Sequence, residues 1–122
     1  MLDIDTEFRK GILFVRLKGS LSYDNCHLLE NSIGQLITEN KVRFVAFNIY
    51  ELYYIDSVGI STLLKYNMTL LKKQGIALIC GENKMLFKIR NKDKYQIKEV
   101  NDELSAIKYI NLGGYLWLKI MM

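Results

Sequence analysis

Tyr53-Tyr54-Ile55-Asp56-Ser57-Val58-Gly59-Ile60-Ser61-Thr62-Leu63-Leu64 is the stretch whose reading decides the fold. An apolar, strand-like run ends at Asp56-Ser57, a glycine follows, and an amphipathic pattern begins. Asp and Ser are strong helix N-caps, because their side-chain oxygens accept bonds from N–H groups that lack partners in the first turn. Either Asp56 or Ser57 therefore caps or opens a helix here. Gly59, with no Cβ, lets another backbone or a partner approach the turn closely. Ile60, Leu63, Leu64, Asn67, Met68 and Leu71 recur at steps of three and four, which predicts an apolar stripe on one helix face. The Ser57 hydroxyl then sits at the positive end of the helix macrodipole, where a negative group is tolerated.

Upstream, Val42 to Ile49 is apolar almost without a break, the pattern of a strand covered on both faces. Tyr50 to Tyr54 is read as the lead into the turn. Downstream, the helix is expected to run to about Lys73 and to end at Gln74-Gly75 with a C-terminal glycine. Ile76 to Cys80 is a second buried strand, closed by the turn Gly81-Glu82-Asn83.

Nearer the start, Leu2 to Phe8 alternates weakly and Ile12 to Leu17 is rich in aromatic and branched residues. Arg9-Lys10-Gly11 between them predicts a hairpin. Gly19 to Asn25 is the loop into a first helix, with Ser22 as its N-cap and Asp24 in its first turn. Cys26, Leu29, Ile33, Leu36 and Ile37 mark that helix's inner face, and it is expected to end near Glu39-Asn40. Towards the end, Asn83 opens a short helix through Met85, Leu86, Ile89 and Arg90, and Tyr95, Ile97 and Val100 fit a last strand. Asn101 or Asp102 caps a final helix with Leu104, Ile107 and Ile110 inward. Strands alternating with helices, over connections too long for hairpins, imply parallel pairing in an α/β fold.

The region Ile55-Asp56-Ser57-Val58-Gly59-Ile60 resembles the signature of the STAS family, the anti-sigma-factor antagonists. There a strand, Asp-Ser-(Ser/Thr)-Gly-apolar and a helix follow in that order. The resemblance covers roughly residues 5–110 and is closest from Arg43 to Gly75. It implies a STAS-type fold, with a mixed sheet of four or five strands and helices mostly on one face. It also implies that Ser57 matches the serine phosphorylated in regulatory members. Asp56, Val58, Gly59 and Ile60 would then contact the partner, together with Ser22, Tyr23 and Asp24 of the loop beside it. A purely structural role for that loop stays open. Two positions depart from the family pattern. Val58 stands where Ser or Thr is usual, and Ser22 replaces an acidic residue at the start of the first helix.

The implied partners are an anti-sigma factor with a histidine-kinase-like ATPase fold, which phosphorylates the serine, and a PP2C-type phosphatase that restores it. The alternative keeps the fold without the phosphoswitch, as a scaffold or a lipid-transport-complex subunit. Val58 and Ser22 favour that alternative, and the intact Asp56-Ser57 pair favours the switch.

Size and composition fit this frame. A chain of 122 residues, half hydrophobic and a quarter charged, suits one globular domain. The domain is expected over residues 1–110, followed by an apolar tail over residues 111–122. Leu112, Tyr115, Leu116, Trp117, Leu118, Ile120, Met121 and Met122 make that tail too apolar for a free end. It is expected to pack on the domain or on a second copy, which would give a homodimer. The net charge of +4 is spread over scattered lysines and arginines, densest at Lys84, Lys88, Arg90, Lys92 and Lys94. These read as a solvated face, and no nucleic-acid partner is expected. Cys26 and Cys80, with the one histidine His27, form neither a CxxC pair nor a zinc cluster, so no metal or cofactor is expected. Walker, GxGxxG and GxSxG patterns are absent, and nothing supports an enzyme. With neither a signal-peptide pattern nor a membrane span, a cytoplasmic protein is expected.

Overall fold

The computed structural model describes residues 1–39, 42–81 and 97–113. Five strands form one sheet in the order β1-β2-β3-β4-β5: Leu2–Arg9, Ile12–Leu21, Phe44–Ile55, Ile76–Cys80 and Lys98–Val100. β1 and β2 are antiparallel, and β2-β3, β3-β4 and β4-β5 are parallel. The hairpin turns on Lys10 and Gly11, both at positive φ (57° and 79°). Two left-handed central residues match the right-handed twist of the flanking strands, in the hairpin that Arg9-Lys10-Gly11 predicts.

The first helical segment, expected as one α-helix, has three parts. α1 (Cys26–Leu29) passes into a π-helical turn (Glu30–Gly34) and then into α2 (Gln35–Glu39). Leu29, Ile33 and Ile37 are buried along it, while Leu36 and Cys26 are partly buried. Gly34 leaves room for the Glu30 side chain, since a Cβ there would stand 2.8 Å from the Glu30 Oε1. Glu30 thereby reaches across to accept a hydrogen bond from the Tyr66 hydroxyl.

α3 (Ser57–Lys72) buries Gly59, Ile60, Leu63, Tyr66, Asn67 and Leu70. The stripe is therefore turned from the expected one. Met68 is 57% exposed, Leu64 and Leu71 are partly buried, and Tyr66 and Leu70 take the inner places. Asn67 is the polar member of the buried face, because its Oδ1 accepts the Ala77 N–H at 3.0 Å and pins the start of β4. The left-handed residue after the helix is Gln74 (φ 65°), not Gly75. Gly75 serves close approach instead, since a Cβ there would lie 1.8 Å from the Arg43 carbonyl oxygen.

Two apolar clusters lie on the two faces of the sheet. Val15, Leu17, Val45, Phe47 and Ile79 pack beneath α1–α3, with Leu29, Ile33 and Leu63. Ile12, Phe14, Ala46, Ile76, Leu78 and Cys80 pack on the other face against Ala106 and Ile110. These last two belong to α4 (Glu103–Asn111), capped by Asp102, whose Oδ1 accepts the Ser105 N–H at 2.8 Å. Leu104, expected inward, is 58% exposed. The first turn of α4 is held by Glu103 instead.

β2 and β3 both continue beyond their expected ends at Leu17 and Ile49, with irregular register between Arg16 and Lys18 and between Gly19 and Ser20. Those irregularities absorb extra residues, so Leu52 and Ile55 still point into the core while Tyr50, Glu51, Tyr53 and Tyr54 are exposed. The expected short helix at Met85–Arg90, the strand residue Tyr95, the basic group 84–94 and the tail beyond Gly113 fall outside the described residues.

Candidate functional site: the Asp56-Ser57 turn

β3 ends at Ile55 and α3 opens at Ser57, with Asp56 between them in extended conformation (φ −100°). The sequence left the cap open between Asp56 and Ser57, and it is Asp56. Its Oδ1 accepts the Gly59 N–H at 2.8 Å. Its Oδ2 accepts the Tyr23 N–H at 3.1 Å, across to the loop after β2. The Asp56 N–H in turn donates to the Leu21 carbonyl at 3.2 Å. One carboxylate thus satisfies a helix-terminal donor and ties the turn to a segment more than thirty residues away in sequence. Ser57 is the first helical residue and is exposed.

Gly59 is buried, and a Cβ on it would come within 2.5 Å of the Leu21 carbonyl oxygen and 2.8 Å of Ile55 Cγ1. Of the two uses the sequence allowed, close approach of another backbone is the one seen. Ile60, 7% exposed, belongs to the core. Val58 is 44% exposed and its carbonyl accepts the Thr62 hydroxyl at 2.8 Å.

The loop departs from its expected role as a helix cap. Ser22 is buried and lies outside the helix, and its carbonyl accepts the N–H groups of Asn25 (3.1 Å) and Cys26 (2.9 Å). Asn25 occupies the N-cap position, so Asp24 precedes the helix and is not in its first turn. Tyr23 (72% exposed) and Asp24 face solvent. The structure therefore brings Tyr23, Asp56, Ser57 and Val58 to one end of the sheet and withdraws Ser22, Gly59 and Ile60 into the fold. Sequence reasoning missed Asn25 and the exposed Tyr53 and Tyr54. An asparagine just before a helix is the one signal that was available.

A second polar cluster, also missed, occupies the α4 face. Arg16 donates from Nε and Nη2 to the two Glu103 carboxylate oxygens, both at 2.8 Å. It also donates to Glu7 at 2.8 Å and to Asp5 at 3.0 Å. The Asn48 amide adds a bond to Glu103 at 2.9 Å. Arg16 holds the Glu103 carboxyl below its ordinary value, against the opposing effect of burial. Asp102 is likewise lowered, by the Ser105 N–H that it accepts. Burial pushes the Cys80 thiol up to about 12, which makes it an inert core residue. Among the described residues no metal-holding group of His, Cys, Asp or Glu forms, and no helix is long and apolar enough to cross a membrane.

A five-stranded mixed sheet, an Asp-capped helix opened by an exposed serine, and a loop strapped to that cap define an α/β domain. The sequence matches the STAS domain over residues 3–101, and the chain belongs to that family. The anti-sigma F factor antagonist of Paenibacillus polymyxa is 24% identical over 82 residues, covering 67% of this chain and 70% of that protein. The anti-sigma factor antagonist SpoIIAA in its unphosphorylated form superposes with a TM-score of 0.73 at 17% identity, over 91% of this chain and 98% of that one. Its phosphorylated form, from Bacillus, gives 0.69 at 17% identity, over 90% and 99%. An anti-sigma factor antagonist from Mycobacterium paratuberculosis gives 0.77 at 16% identity, over 91% and 95%. Likeness at these identities establishes a shared fold.

Proposed function

We propose that this protein is an anti-sigma-factor antagonist that works in the cytoplasm as a regulatory binding protein, with Ser57 as its phosphorylated residue. The observation that carries the reading is the exposed Ser57 hydroxyl at the first position of α3, beside the exposed Tyr23 and Val58. In the unphosphorylated state the domain binds an anti-sigma factor with a histidine-kinase-like ATPase fold. That partner phosphorylates Ser57, and a PP2C-type phosphatase reverses the step.

The physics suits a switch at this place. A phosphoryl group adds about 1.5–2 negative charges. Within the domain, the free N–H groups and dipole of the α3 N-terminus stabilise that charge, so the fold survives it. Against a partner, the same charge must be desolvated. A penalty of about 3 kcal/mol weakens binding by roughly 100-fold, enough to release the partner. Tyr23, Asp24 and Val58 are the contact residues, while Asp56 holds the turn and Gly59 and Ile60 support it from below.

The test is incubation with the cognate kinase and ATP, followed by location of phosphate by mass spectrometry. Ser57→Ala should keep the fold and block the modification, since it removes one exposed oxygen that makes no cap bond. Ser57→Asp should imitate the modified state imperfectly, with one charge and a shorter reach. Phosphate on Ser61 or Thr62 but not Ser57 would refute the assignment. A second reading, a STAS scaffold without the switch, is favoured by Val58, where a branched apolar residue stands next to the acceptor. No phosphate anywhere, with partner binding unchanged in Ser57→Asp, is its signature.

A further inference from the structure

Asn25 lies between the exposed Asp24 and the start of α1, yet it is only 8% exposed. An asparagine at a helix N-cap ordinarily turns its side chain to the helix and accepts from an N–H of the first turn. Here it makes no such bond. Its amide is turned to the loop instead. Oδ1 accepts the Ser22 N–H at 2.9 Å, and Nδ2 donates to the Ser20 carbonyl at 2.9 Å. The side chain thus closes residues 20–25 around itself. The next donor along that closed loop is the Tyr23 N–H, the one bonded to Asp56 Oδ2.

We propose that Asn25 is a positioning residue for the Ser57 surface. Its amide fixes the loop conformation in which the Tyr23 N–H meets Asp56, and so decides where Tyr23 and Asp24 stand beside Ser57. The proposal rests on the reading of that surface as a partner contact, and Asn25 itself is buried away from it. The geometry separates its effect from that of the cap. The Asp56–Gly59 bond spans three residues of one turn and needs nothing from the loop, whereas the Asp56–Tyr23 bond needs the loop in place.

The experiment is backbone amide hydrogen exchange by NMR on the full, unphosphorylated chain, comparing wild type with Asn25→Ala and Asn25→Asp. In Asn25→Ala, the Ser22 and Tyr23 amides should exchange at least about tenfold faster, with Gly59, Val45 and Ile79 within about twofold of wild type. Asn25→Asp keeps an acceptor for Ser22 and loses the donor to Ser20, so it should restore part of the Tyr23 protection. Unchanged exchange at Tyr23 in Asn25→Ala overturns the proposal. So does an equal acceleration at Val45 and Ile79, which would mark a general loosening, and so does an Asp variant no better protected than the Ala one. Exchange needs neither kinase nor partner. Its failure leaves the Ser57 reading intact, and absence of phosphate on Ser57 leaves the exchange result standing.

Discussion

Replacing Glu103 by glutamine removes one charge from the ion network on the α4 face and leaves its shape almost unchanged. Glu103 is well covered, with 17% of its side chain exposed, and it takes two bonds from Arg16, one from Asn48 and a longer one from Arg9 at 3.5 Å. Bonds to charged groups contribute about 1.5–3 kcal/mol together when partly buried, and surface ion pairs much less. Arg16 is one-third exposed and keeps Asp5 and Glu7, so it is not left as a bare buried charge. Glu103 also sits in the first turn of α4, where negative charge adds a few tenths of a kcal/mol. We expect Glu103→Gln to lose about 2 kcal/mol, or roughly 6–10 °C in Tm. The effect has a pH signature. Arg16 lowers the folded-state value of Glu103 below its ordinary 4.5. Its contribution is therefore complete above the unfolded value and drains away as pH falls through the folded one. Urea unfolding at pH 7 and at pH 3 should show the gap between wild type and variant shrinking on acidification. A loss below about 0.5 kcal/mol at pH 7, or a gap that does not narrow in acid, would refute the assignment. The neighbouring Leu104→Ala, at an exposed position, should change stability by no more than about 0.5 kcal/mol in the same assay.

Gly59→Ala should destabilise by about 2–3 kcal/mol, even though alanine is the better helix former, because its Cβ meets the Leu21 carbonyl. Denaturant unfolding measures this, and a neutral or stabilising result would show that the turn yields easily. Tyr66→Phe should lose about 1 kcal/mol with the bond to Glu30, the modest figure reflecting the half-exposed carboxylate; a larger loss would mean that the π-helical turn depends on it. Deletion after Asn111 should lower solubility or abolish self-association, read by light scattering. A truncated protein of the same mass, solubility and stability would remove any role for the tail.

Much of the fold was legible because local chemistry and tertiary packing agree. Lys10-Gly11 dictated its hairpin, Ile76–Cys80 its buried strand, and Asp56-Ser57 the start of α3. The failures lie where a residue takes a partner other than the one its local pattern names. Ser22 looked like the better cap, but Asn25 turns its amide to the loop and Ser22 gives only backbone. Leu104 looked inward by periodicity, but the first turn of α4 is docked by Glu103 onto Arg16, and the apolar contact starts at Ala106. Tyr50 to Tyr54 read only as a lead into the turn, because its outer positions are wet, although β2 pairs with it to Ile55. For the site, Asp56 and Ser57 stood in the sequence. For Gly59 and Ile60 the sequence left two uses open, since small and apolar residues serve a buried contact and a binding surface alike.

The π-helical turn sets a phase. Leu29, Ile33 and Ile37 are spaced four apart, and four α-helical steps overshoot a full circle by about 40°. Two such steps would swing Ile37 about 80° away from the line of Leu29. The wider turn at Glu30–Gly34 rotates less per residue and takes back that overshoot, so all three remain buried on one side. The segment behaves as a vernier between two clamps: residues 20–25 strapped to Asp56 at one end, and the Ile37 carbonyl, which accepts from the Lys73 ammonium, at the other. Deleting one residue from Glu30–Gly34 would leave seven α-helical steps from Leu29 to the position of Ile37, about 700°. A regular helix of nearly the same length would therefore keep its two ends within about 20° of the same phase. Both clamps could still close on it, with the wide turn gone.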